Sequence, residues 1–126
     1  ATKGYSDEQK SIYDIVLNAQ VKSIEGIKSG ISCKSIDSIA RDHIANAGYS
    51  KFFDHGLGHS LGLEIHEDPR FSKVSEDVLE ENYVMTVEPG IYVPDIGGVR
   101  IEDDIIVTKN GAEILNKTSK EFQVIL

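Results

Sequence analysis

The chain has 126 residues, of which 40% are hydrophobic and 27% charged, and a formal net charge of −8. That is one domain's worth of chain, long enough for a hydrophobic core, and the acidic balance argues against a binder of phosphate backbones, which needs clustered Lys and Arg. No apolar run approaches the roughly 20 residues needed to cross a bilayer, no signal peptide is visible, and the lone Cys33 cannot form an intramolecular disulfide, so a reducing cytoplasm is the expected setting.

The chain opens on Ala1 rather than Met, a polar lead consistent with a processed or cut start. Ser6 with Gln9 is a capping-box pattern, with Asp7 and Glu8 in the favourable first turn. Apolar residues at Ile12, Ile15, Val16, Ala19, Ile24 and Ile27 predict an amphipathic helix to about Ser29, stopped by Gly30. Cys33 reads as a small buried residue, since nothing near it in sequence would lower its pKa. A second helix is expected from Ser35 as N-cap to Gly48, with Ile36, Ile39, Ala40 and Ile44 as its buried stripe. His43 lies beside that stripe and reads as solvent-facing or locally packed.

From Tyr49 the pattern changes. The stretch from His55 to Glu67 holds three of the four histidines with Gly56, Gly58 and Gly62 among them. Imidazole is the commonest protein ligand for transition metals and suits proton transfer near neutral pH. His55 and His59 are spaced for one helical face, but each glycine would cost a helix about 1 kcal/mol against alanine. No Glu directly follows His55, so the helical zinc-protease pattern fails. A glycine-rich loop or irregular strand is expected instead. The acidic stretch from Glu76 to Glu81 reads as a solvated loop. Strands are expected at Tyr83–Val87, ended by Glu88-Pro89-Gly90, and at Ile91–Val93. A turn follows at Pro94–Gly98, then a strand from Val99 to Val107. Asn110-Gly111 signals a hairpin into a last strand at Glu113–Leu115. Two helices followed by strands with short connections predict an α+β fold, an antiparallel sheet backed by helices.

Glu88 stands at a strand end before a forced turn, placed either to enter a cleft or simply in solvent. Arg100 and Glu102 are two apart in an otherwise apolar strand, so they share a face; an ordinary ion pair there is the plain alternative to a buried carboxylate that needs a partner or a metal. His59, Glu88 and Glu102 together offer one imidazole and two carboxylates, a donor set suited to a divalent Mn, Fe, Co or Zn ion.

These residues carry a resemblance. His55-x-x-x-His59-x-x-Gly62, His66-Glu67-x-Pro69, Val87-Glu88-Pro89-Gly90 and Arg100-Ile101-Glu102-Asp103 resemble the C-terminal catalytic half of the pita-bread metallopeptidases, in their Xaa-Pro branch of prolidase and aminopeptidase P. The similarity runs over essentially the whole chain. Arg100 and Asp103 separate it from methionine aminopeptidases, and the retained trio separates it from creatine amidinohydrolase, which lacks the metal ligands. The resemblance implies half of a pita-bread fold, with residues 1–126 the C-terminal part of a catalytic domain whose N-terminal half lies outside this chain. It implies a two-metal site, with manganese the expected ion. His59 and Glu88 would bind one ion and Glu102 would bridge both, the other two ligands being aspartates without a counterpart here. The implied reaction is hydrolysis of the bond preceding proline in a peptide or dipeptide. Glu88 would move the proton, His66 would bond the scissile carbonyl or the developing tetrahedral oxygens, His55 would line the proline-side pocket or steady the intermediate, and Arg100 would orient Glu102 or another carboxylate by a forked contact. The chain alone is expected to be nearly inactive, to hold at most one ion weakly, and to self-associate through a face the missing half would cover. A non-catalytic pita-bread module that binds proteins is the competing reading.

Overall fold

The computed structural model describes residues 4–61 and 69–122. Helix α1 (Asp7–Glu25) starts on a complete capping box: Gln9 N–H donates to Ser6 Oγ at 3.1 Å and Ser6 N–H donates to Gln9 Oε1 at 2.9 Å. It ends at Gly26, before the expected Ser29. A side chain at Gly26 would put its Cβ 2.7 Å from Ile39 Cδ1, so Ile39 of the second helix packs over the end of α1. Helix α2 (Cys33–Asn46) is capped by Ser32 rather than by the expected Ser35; Ser35 instead donates its N–H to Ser32 Oγ. The earlier start is fixed from a distance, because Cys33 N–H donates to Asp77 O and Leu79 N–H to Ile31 O. The acidic loop is thus tied to the helix entry. His43 sits on the flank, 3.2 Å from Lys22 Nζ.

Strand β1 (Gly58–His59) pairs antiparallel with β2 (Arg70–Phe71). Strand β3 (Val84–Val87) pairs with β6 (Asp103–Val107), which also pairs with β7 (Ala112–Ile114). Strand β4 (Gly90–Val93) pairs with β5 (Gly97–Arg100). The single strand expected over Val99–Val107 is therefore two strands, broken at Ile101-Glu102. The cause lies on the opposite strand. Both ladders keep one register, Val87↔Asp103 on one side of the break and Gly90↔Arg100 on the other. They are two halves of one hairpin, interrupted where Pro89 has no N–H to donate. Ile101 N–H still reaches Pro89 O at 3.3 Å.

Helix α1 packs on α2 and on β3, β4 and β5, while α2 packs on β2. Between them lies the core, with Val16, Ile36, Ile44, Phe53, Phe71, Met85, Ile91 and Ile105 all buried. Each such side chain stabilises the fold by about 1.5–3 kcal/mol relative to exposure. The tail folds back on α1: Phe122 packs edge-on against Tyr5 and Tyr13, and Lys120 pairs with the buried Asp103. The expected α+β architecture, helices on an antiparallel sheet, is the one observed. No described helix is long and apolar enough to cross a membrane.

Candidate functional site

Gly58 sets the position of the first candidate donor. A Cβ there would stand 1.9 Å from Thr86 O, so β1 lies against β3 at a distance only glycine permits. The contact is held by Glu88 N–H to Leu57 O at 2.7 Å, His59 N–H to Thr86 Oγ1 at 3.0 Å and Leu61 N–H to Val84 O at 2.8 Å. His59 is thereby carried alongside Glu88, with Nε2 3.7 Å from Glu88 Oε2. His59 Nδ1 lies 3.0 Å from Ser60 O. A carbonyl only accepts, so in the neutral imidazole Nδ1 carries the proton and Nε2 turns a lone pair toward the carboxylate.

The interrupted hairpin places the two acids. One step beyond Val87↔Asp103, and two short of Gly90↔Arg100, Glu88 stands opposite Glu102. Glu88 turns its N–H away to Leu57, as the residue of a non-hydrogen-bonded antiparallel position does. Like charges directly opposite each other are unfavourable. Although Glu102 is exposed, the desolvation its neighbours impose comes first, and then the charges of Glu88 and Asp104, in raising its carboxyl from the ordinary value, while Arg100 and His59 pull it down. Arg100 meets Glu88 Oε1 only through Nε, at 4.0 Å. The forked contact expected of it is absent from the described geometry.

His55 bonds its own neighbour, with Nδ1 2.7 Å from Gly56 O, and its Nε2 is buried without a hydrogen-bond partner among the described residues. The ring packs edge-on to Phe53 at 4.9 Å and tilts toward Tyr92 at 6.1 Å. A cleft of about 500 Å³ opens here, walled by His55, His59, Arg70, Glu88, Tyr92 and Arg100. Glu102 is solvent-exposed and stands across from Glu88 rather than in that wall. His66 falls within residues 62–68, outside the described residues.

Two polar residues inside the helices serve the site and were not picked out as functional from sequence. Asp37, fully buried, accepts from Arg41 Nε at 2.9 Å and Nη2 at 3.2 Å and from Leu57 N–H at 3.1 Å. Arg41 in turn donates to Phe53 O and His55 O. This pair fixes the loop that carries His55. Gln20, also buried, reaches the hairpin from α1.

As the side chains stand, no three His, Cys, Asp or Glu among the described residues are gathered closely enough to hold an ion. The donor chemistry nevertheless fits one. Two bonds of about 2.0–2.2 Å to a common ion can bridge the 3.7 Å between His59 Nε2 and Glu88 Oε2. An imidazole nitrogen facing one carboxylate, with a second carboxylate opposite, offers donors of the kind a divalent cation takes.

The sequence profile described as metallopeptidase family M24 matches residues 2–109. The chain is 57% identical over 117 residues to the Xaa-Pro dipeptidase of Pyrococcus horikoshii, covering 93% of this chain and 33% of that protein. It is 53% identical to the Xaa-Pro dipeptidase of Pyrococcus furiosus, with 93% and 34% covered. Among solved structures it superposes on an Xaa-Pro dipeptidase from Bacillus anthracis with a TM-score of 0.96 at 50% identity, covering 99% of this chain and 35% of that one. An X-Pro aminopeptidase from Thermotoga maritima gives 0.93 at 42%, covering 99% and 36%. The chain spans about a third of the length of these relatives. The two helices on an antiparallel sheet are half of the expected pita-bread fold. With its profile matched from residue 2 to residue 109, the chain belongs to metallopeptidase family M24.

Proposed function

We propose that the chain supplies part of the active site of a divalent-metal peptidase that hydrolyses the bond preceding proline, of the Xaa-Pro dipeptidase type. The observation that carries this reading is the meeting of His59 Nε2 with the Glu88 carboxylate at 3.7 Å, with Glu102 opposite Glu88 across the hairpin gap. The names of its relatives, two of them Xaa-Pro dipeptidases at 57% and 53% identity, support the substrate class.

In this reading His59, Glu88 and Glu102 are metal ligands, with manganese the ion, and the remaining ligands come from outside these 126 residues. When bound, divalent ions supply Lewis acidity to the carbonyl under attack and lower the pKa of water. Glu88 lines the cleft and takes up the proton released when water attacks, passing it to the leaving amine. Arg100 steadies the Glu88 carboxylate from 4.0 Å. His55 presents a partnerless Nε2 to the same cleft beside Tyr92 and borders the proline-side pocket. His66 bonds the scissile carbonyl.

The test is calorimetric titration of the chain with Mn²⁺, paired with assay of the full-length protein on Xaa-Pro dipeptides. The chain alone is expected to show at most one weak site, lost in His59→Ala, and almost no hydrolysis. The full-length protein is expected to hydrolyse the dipeptides and to stop when chelated. Two tight sites on the isolated chain would contradict the ligand assignment, and full-length protein that neither binds Mn²⁺ nor cleaves would favour the binding-module reading.

A further inference from the structure

Gln20 sits on the apolar stripe of α1, four residues after Val16 and eight after Ile12, and is fully buried. Its side-chain nitrogen donates to two carbonyls at once, Val87 O and Ile101 O, each at 3.2 Å. Those carbonyls belong to the residues immediately before Glu88 and Glu102. Carbonyls only accept, so the amide must present its nitrogen, and its two hydrogens match the two acceptors. Its oxygen is left buried without a hydrogen-bond partner among the described residues.

The contact falls where the hairpin cannot hold itself. Ile101 N–H reaches Pro89 O, but Pro89 has no N–H to return to Ile101 O. Gln20 supplies that missing donor and ties the same point to Val87. Side chains alternate along a strand. Val87 is buried against the helices, so Glu88 projects from the other face. Gln20 therefore acts on the carboxylates through the backbone and touches neither.

We infer that Gln20 is a positioning residue for the metal centre: by bridging Val87 O and Ile101 O it fixes the separation of Glu88 and Glu102. The inference rests on reading those glutamates as ligands. Without the bridge, two opposed carboxylates at a break in the ladder would spread apart.

The test uses Gln20→Met in the full-length protein. This variant keeps the side chain's length, removes the donor and suits a buried site, so melting close to wild type is expected. A merely structural role would then leave metal binding untouched. The expected result is a loss of about 10–100-fold in Mn²⁺ affinity by calorimetry, together with an altered visible spectrum when Co²⁺ is bound. Mn²⁺ affinity within twofold of wild type and an unchanged Co²⁺ spectrum would overturn the inference. Amide hydrogen exchange of the metal-free proteins gives a readout independent of any ion. Exchange at Ile101 and Asp103 rising about tenfold in the variant, with Ile105 unchanged, supports the bridge; equal rates overturn it. Wild-type protein that binds no divalent ion would sink the metal reading, and the exchange comparison would still decide whether Gln20 sets the strand separation. If Gln20→Met does not fold, Gln20→Asn, which keeps a donor too short to span both carbonyls, carries the same expectations.

Discussion

Gly58→Ala is the sharpest single perturbation of this site. The added Cβ would meet Thr86 O at 1.9 Å, Thr86 C at 2.7 Å and Thr86 Oγ1 at 3.0 Å. The first two atoms are backbone, so no side-chain rotation relieves the overlap. Strand β1 must retreat until the closest approach grows from 1.9 Å to at least 3.0 Å. That movement strains the bonds from His59 N–H to Thr86 Oγ1 and from Glu88 N–H to Leu57 O, each contributing about 1 kcal/mol net. Overpacking adds about 1–3 kcal/mol. The expected loss is about 3–5 kcal/mol, and at roughly 4 °C per kcal/mol for a chain of this size the melting temperature should fall by about 12–20 °C. Thermal and urea denaturation followed by circular dichroism measure it. Gly111→Ala is the control: its nearest neighbour is Thr108 Oγ1 at 3.9 Å, and a change within about 0.5 kcal/mol is expected. A Gly58→Ala protein melting within about 3 °C of wild type would refute the claim that β1 is pressed against β3, and with it the argument for where His59 stands.

Two further outcomes follow from the buried polar groups. Arg41→Met leaves the Asp37 carboxylate buried without its guanidinium partner and should cost about 3–5 kcal/mol in urea denaturation. The double variant Asp37→Leu with Arg41→Met should recover most of that loss but not all, since Leu57 N–H then has no acceptor. Burial, then the charge of Asp77, pushes the Cys33 thiol up from 9.0 to about 11. Native protein at pH 8 should therefore resist iodoacetamide, while urea-unfolded protein reacts. Because the folded pKa is the higher one, the stability linked to Cys33 is fully present below pH 9.0 and is lost as pH rises through about 11. Urea midpoints taken across that window should fall, and Cys33→Ala should reduce the fall.

The parts of the fold legible in sequence are those whose causes are local. Ser6 and Gln9 satisfy each other three residues apart, so the start of α1 needs no other information. Asn110-Gly111 likewise marks the β6–β7 connection, where Thr108 N–H bonds Gly111 O. The errors have distant causes. Ser32 and Ser35 are both good caps, and the choice between them is made by Asp77, more than forty residues on. Nothing inside Val99–Val107 announces its break, because the missing donor is Pro89 on the opposite strand. The meeting of His59 with Glu88 was expected from residue types, yet its physical cause is the glycine beside the histidine, whose need to be glycine shows only against Thr86. Asp37 and Gln20 did carry a signal. Each is a polar residue on its helix's apolar stripe, Asp37 four after Cys33 and three before Ala40, Gln20 four after Val16. A stripe read only for its apolar members passes over them.

The single register of the interrupted hairpin has a consequence for how the chain reaches its folded state. Pairing that starts at the turn of residues 94–96 and zips outward brings Glu88 toward Glu102 through short, entropically cheap loop closures, before Gln20 of α1 docks and fixes their separation. Two like charges are therefore brought together by a comparatively local pairing, whereas His59 arrives only when β1 docks on β3 across a longer loop. An ion able to bind the assembled site draws the equilibrium toward the native state by mass action, by about 2.7 kcal/mol at a hundred times its dissociation constant. The supply of such an ion would then set how much of the chain is folded.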